Sequence, residues 1–62
     1  MYTLEKVLYL VNADSDIFCE IYKGDRCIAM GYLSDLDLES DIKIETYRLG
    51  YDGVQYLILH LA

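Results

Sequence analysis

Leu4, Val7, Leu8 and Val11 recur at i, i+3, i+4 and i+7, the spacing of one helical face. Thr3 stands where an N-cap belongs, and Glu5 sits near the positive end of the helix dipole. Asn12 supplies a stop, so the pattern predicts a helix over 3–11; Val7 and Tyr9, both β-formers, make a strand the competing reading. Asp14, Ser15 and Asp16 read as loop. Over 17–22 the pattern changes to alternation among β-branched and aromatic residues, which predicts a strand. Lys23-Gly24-Asp25-Arg26 is a turn, with Gly24 placed for a positive φ, and 27–33 reads as the return strand. In that hairpin Tyr22 is expected opposite Cys27, and Cys19 opposite Met30.

The stretch 34–41 alternates acids with Leu36, Leu38 and Ser40 and reads as a single helical turn or a short loop. Ser34 and Asp37 resemble a capping box with Asp in place of Glu. A strand over 42–49, a turn at Gly50-Tyr51-Asp52-Gly53 and a last strand over 54–61 complete the chain. The last strand is apolar on both sides, which suits a central position. The expected fold is a single α+β domain spanning 1–62: one short N-terminal helix on a four-stranded, mostly antiparallel sheet of two hairpins.

Strand parity assigns two faces. Ile17, Cys19, Ile21, Ile28, Met30, Tyr32, Ile42, Ile44, Leu57, Leu59 and Leu61 fall on one, which belongs under the helix. The other carries Phe18, Glu20, Tyr22, Cys27, Ala29, Leu33, Lys43, Glu45, Tyr47, Leu49, Val54, Tyr56, Ile58 and His60. A helix of this size is only about 14 Å long at about 1.5 Å per residue, and covers one face of a sheet, not both. Phe18, Tyr22, Tyr47, Leu49, Val54, Tyr56 and Ile58 would then form an exposed aromatic and aliphatic patch. Such patches mark interaction surfaces, and Tyr brings contact area together with a polar tip.

Length and charge narrow the function. A chain of 62 residues holds one domain and buries only about 60% of its unfolded surface, so a second subunit or an obligate partner is the expected extra source of stability. Eleven acids against five Lys and Arg give a net charge of −6, a poor basis for holding nucleic acid by its phosphates. The apolar runs are too short to cross a bilayer, and no secretory signal is visible, so the expected compartment is the cytoplasm. There thiols stay reduced; Cys19 and Cys27 fall on opposite sheet faces and read as small buried hydrophobes rather than a disulfide.

The chemistry-bearing residues are sparse. His60 is the sole imidazole and reads as a surface residue or, opposed to Lys43 or Glu45 across the hairpin, as half of a polar pair; no nucleophile has a believable base. None of the four glycines builds a phosphate-binding loop, and no zinc spacing exists. No cofactor, metal site or enzymatic activity is therefore expected. Asp35, Asp37, Glu39 and Asp41 would point one way in an extended segment, as a solvated face or as an anionic surface for a basic protein. They lack the glycine and closing glutamate of a calcium loop.

TLEKVLYLV at the N-terminus, the KGD turn, the LSDL segment and the apolar run of the final strand resemble small proteins of phages and mobile elements of Gram-positive bacteria. That resemblance implies a viral or mobile-element accessory protein in a bacterial host cell. Some small acidic members of the class inhibit nucleases of bacterial defence, anti-CRISPR proteins among them. The sequence thus leaves two functions. The first is a non-enzymatic interaction module, a homodimer or binder of a protein partner, working through Phe18, Tyr22, Tyr47, Tyr56 and Ile58. The second is an acidic inhibitor of a nucleic-acid-binding enzyme, working through Asp35, Asp37, Glu39 and Asp41.

Overall fold

The computed structural model describes residues 1–62. Strand β1 (Tyr2–Thr3) leads into helix α1 (Leu4–Val11), followed by β2 (Phe18–Lys23) and β3 (Arg26–Tyr32). A 3-10 turn at Leu33–Asp35 and a connection through residue 42 precede β4 (Lys43–Tyr51) and β5 (Gln55–Leu61). The class is α+β, as the pattern predicts. The sheet has five strands rather than four, in the order β1-β4-β5-β2-β3, and it is mixed: β2 and β5 run parallel, the other neighbours antiparallel. The fifth strand escapes sequence reading because two residues carry no periodicity. The parallel pair places β5 at the centre, where a strand apolar on both sides is best covered.

The helix begins and ends for local reasons. Thr3 is extended and its Oγ1 accepts from the Lys6 amide at 3.2 Å. The Leu4 and Glu5 amides donate to the Ile42 and Ser40 carbonyls at 3.0 and 2.9 Å. Three donors that a helix leaves unpaired are thus satisfied, two of them by the acidic connection. Asn12 closes the helix in the left-handed region at φ 53°. Thr3→Ala should cost about 1 kcal/mol. A thermal melt followed by circular dichroism should show it as a drop of roughly 4–8 °C for a domain of this size.

Both long connections cross the same face. α1 carries the chain from β1 to β2, and residues 33–42 carry it from β3 back to β4. The two start from oppositely directed strands and travel in opposite directions, so they share one hand. The Leu33 amide donates to the Ile17 carbonyl, and the Ser34 amide to that of Ser15, both at 2.9 Å, which pins the returning segment. Beneath lie the buried residues Leu4, Val7, Ile17, Cys19, Ile21, Ile44, Leu57 and Leu59, with Leu8, Val11, Leu36, Leu38 and Ile42 packed around them. No element crosses the opposite face.

Two β-bulges correct the expected faces. In β3 the register shifts beside Ile28: Tyr22 opposes Cys27 as expected, but Cys19 opposes Gly31 and Glu20 opposes Met30. Met30 and Tyr32 therefore leave the core face for the open one, and Ala29 and Gly31 replace them. In β4 the shift falls between Ile44 and Thr46, so Tyr47 and Leu49 oppose Leu59 and Leu57 on the core face. One extra residue in a strand inverts every side chain beyond it.

Candidate functional site

The open face is a grid of three rows across β3, β2, β5 and β4. Tyr32, Phe18, Tyr56 and Gly50 form the first row; Met30, Glu20, Ile58 and Arg48 the second; Cys27, Tyr22, His60 and Thr46 the third. Of the aromatic-face residues expected from sequence, Phe18, Tyr22, Tyr56 and Ile58 are brought together here. Tyr47 is not: it lies on the core side, where its ring meets Tyr2 edge-on at 5.2 Å. Sequence parity missed Met30, Tyr32 and Arg48, all exposed on this face.

The aromatic rings are ordered by one another. Phe18 and Tyr32 meet edge-to-face at 5.7 Å, an arrangement the ring quadrupoles favour. Tyr22 stacks on His60 at 5.1 Å, and its hydroxyl donates to Glu20 Oε1 at 2.9 Å. His60 therefore pairs with Tyr22 and opposes Thr46, not Lys43 or Glu45. The hydrogen bond to Glu20, and the carboxylate's charge, push the Tyr22 hydroxyl above its usual value. That contact is thus present at neutral pH and is lost as pH rises through the raised value.

Gly50 is the seat of the Tyr56 ring. A Cβ at that position would lie 2.2 Å from the ring's Cζ, so the glycine is what lets Tyr56 lie flat across β4. Gly50→Ala should swing the ring out of its row without unfolding the chain, since the end of a side chain can move. An unchanged far-UV spectrum with altered tyrosine near-UV signal is the expected readout.

Charge is distributed unevenly. Within the grid Glu20 is balanced by Arg48, while the chain as a whole carries −6. Asp35, Asp37, Glu39 and Asp41 are all exposed on the returning connection, with Leu36 and Leu38 turned toward the core between them. The alternation expected of an extended segment is visible there, although Asp37 sits at φ 52° and bends it.

The thiols differ. Cys19 is fully buried, and burial pushes its thiol above the usual value. Cys27 is exposed on the open face, which corrects the expectation that both are buried; it sits at the β3 end of its row, with no strand outside it. Both are free. No group of three or more His, Cys, Asp or Glu side chains is gathered as a metal site. A surface depression of about 400 Å³ is lined by Tyr2, Glu45, Thr46 and Tyr47, with one carboxylate and neither thiol nor imidazole. No helix is long and apolar enough to cross a membrane. Comparison with protein-family models, curated proteins and solved structures gives no match.

Proposed function

We propose that this protein is a non-enzymatic interaction module that associates with a second copy of itself through the open sheet face. The observation that carries the reading is the bare face itself. Both crossover segments cover one side, and Phe18, Tyr22, Met30, Tyr32, Tyr56 and Ile58 line the other. Charge favours a second copy as the occupant. On a molecule of −6, this grid balances one acid with one Arg, so two copies approach here with little repulsion. A two-fold axis along β5 would stack Ile58 on its copy and set Glu20 of each copy opposite Arg48 of the other. A standard interface buries about 800 Å² per partner, roughly a fifth of the 4386 Å² surface.

An amide chemical-shift dilution series tests this. Resonances of Phe18, Tyr22, Tyr56, Ile58 and His60 should move with concentration while those of α1 stay fixed. Movement confined to α1 or to residues 35–41 would overturn the reading.

A second reading is supported by the exposure of all four acids on the returning connection. In it Asp35, Asp37, Glu39 and Asp41 dock on the basic groove of a nucleic-acid-binding enzyme, as in anti-CRISPR-like inhibitors of phage origin. Such a complex would weaken steeply with salt; a salt-insensitive complex would contradict it.

A further inference from the structure

We infer that the free edge of β3 is a second self-pairing site, at which two copies join antiparallel about a two-fold axis at Gly31. This goes beyond the face-to-face reading and uses different atoms. The hydrogen-bond pattern of the hairpin points to it. Leu33 and Ile17 are bonded at 2.9 Å and lie in the same register as Cys19–Gly31. Opposed residues in an antiparallel pair alternate between exchanging both bonds and exchanging none. Gly31 and Ala29 therefore bond to β2, while the N–H and C=O groups of Met30 and Tyr32 point away from it. β3 is the last strand on that side, so no strand receives them.

Edge strands are ordinarily blunted by charge, proline or cover. Here residues 27–32 read Cys-Ile-Ala-Met-Gly-Tyr, with no charge and no proline. Ile28, Met30 and Tyr32 are 51%, 58% and 54% exposed. The opposite margin differs: β1 pairs with Lys43 and Ile44, and the rest of β4 carries Glu45 and Arg48. A second copy fits the β3 edge because the segment is self-complementary. With the axis at Gly31, Met30 of each copy faces Tyr32 of the other, and each of those pairs can exchange both hydrogen bonds. Gly31 meets Gly31 of the second copy at the close, non-bonded position, where the absence of a side chain leaves room. The uncharged stretch brings no like charges together. On the open face, the Met30 thioether lies beside the Tyr32 ring of the second copy, a favourable sulfur–aromatic contact. The two sheets then continue into one another.

Amide hydrogen exchange of the full chain, followed by NMR from micromolar to millimolar concentration, tests the pairing. Exchange at Met30 and Tyr32 should slow by at least about tenfold across the range. A mixture of labelled and unlabelled chains should show a Gly31 Hα to Gly31 Hα contact between copies. The same should hold in Ile58→Lys, which removes the face contact and leaves the edge intact. Amides at Met30 and Tyr32 that stay unprotected while the chain dimerises would overturn the edge pairing and leave the face reading standing. Protection that vanishes in Ile58→Lys would mean that face stacking shields these amides, and would also overturn it. Protection in Ile58→Lys without concentration-dependent shifts at Phe18, Tyr56 and Ile58 in the unaltered chain would support the edge and remove the face.

Discussion

Leu59→Ala should remove most of this domain's folding stability. Leu59 is fully buried at the centre of the sheet, flanked by Ile21 on β2 and Tyr47 on β4. Removing a buried Leu side chain costs about 2–5 kcal/mol, part from lost transfer and part from the cavity left behind. Whole-domain stability is roughly 0.05–0.15 kcal/mol per residue, or about 3–9 kcal/mol here. The core has eight buried residues, and Leu59, on the central strand, is among its largest fully buried side chains, so the cost belongs toward the upper end. Urea denaturation should show the midpoint moved to less than half of its value in the unaltered chain. An unfolding free energy lowered by less than about 1 kcal/mol would mean that Leu59 is not core.

Ile58→Lys, one residue earlier and on the opposite face, should behave in the reverse way. Its fold should persist, because the site is half-buried and opens to solvent in a single chain, where a Lys stem lies on the sheet with its ammonium in water. Its face-to-face association should fail. At the centre of a face-to-face contact the substitution places two ammonium groups against each other in a desolvated position. The loss should be about 3 kcal/mol or more, on the order of 100-fold in Kd. The contrast between neighbours 58 and 59 tests the layer assignment as well as the interface. A variant that unfolds would make the open face core, and an unchanged Kd would remove that face from the interface.

The helix was legible because its cues agree. The apolar spacing, the Thr3 cap and the Asn12 stop all mark the ends that the structure shows. The last strand's central place was legible from its apolar character on both sides. Face assignment by parity failed at two places, for one physical reason: alternation carries no record of an inserted residue. In β4 a trace does exist. Apolar residues fall at 42 and 44, then at 47 and 49, and the consecutive polar pair Glu45-Thr46 marks the switch of parity where the bulge lies. In β3 the continuous run Cys27-Ile28-Ala29-Met30 hides the switch completely. Tyr47 was thus assigned to the wrong face, while Met30, Tyr32 and Arg48 went unseen. Phe18, Tyr22, Tyr56 and Ile58 were found because β2 and the open-face half of β5 keep their parity throughout.

Which strands lie beside the central one was not legible. That β2 and β5 run side by side depends on both crossovers lying on one face. The hydrogen bonds that fix this path, Leu4 to Ile42 and Glu5 to Ser40, are backbone contacts without a side-chain signature. The same path leaves the other face bare, so the strongest functional cue is a product of topology.

The molar mass of the unaltered chain in solution, by light scattering at low and high salt, tests the central claim most directly. The open-face dimer should show about twice 7.2 kDa at micromolar concentration and keep that mass at high salt, because Ile58 and the aromatic rings carry the contact and the Glu20–Arg48 pairs at it add little. A mass of 7.2 kDa in both conditions, or a dimer that dissociates as salt rises, would contradict it.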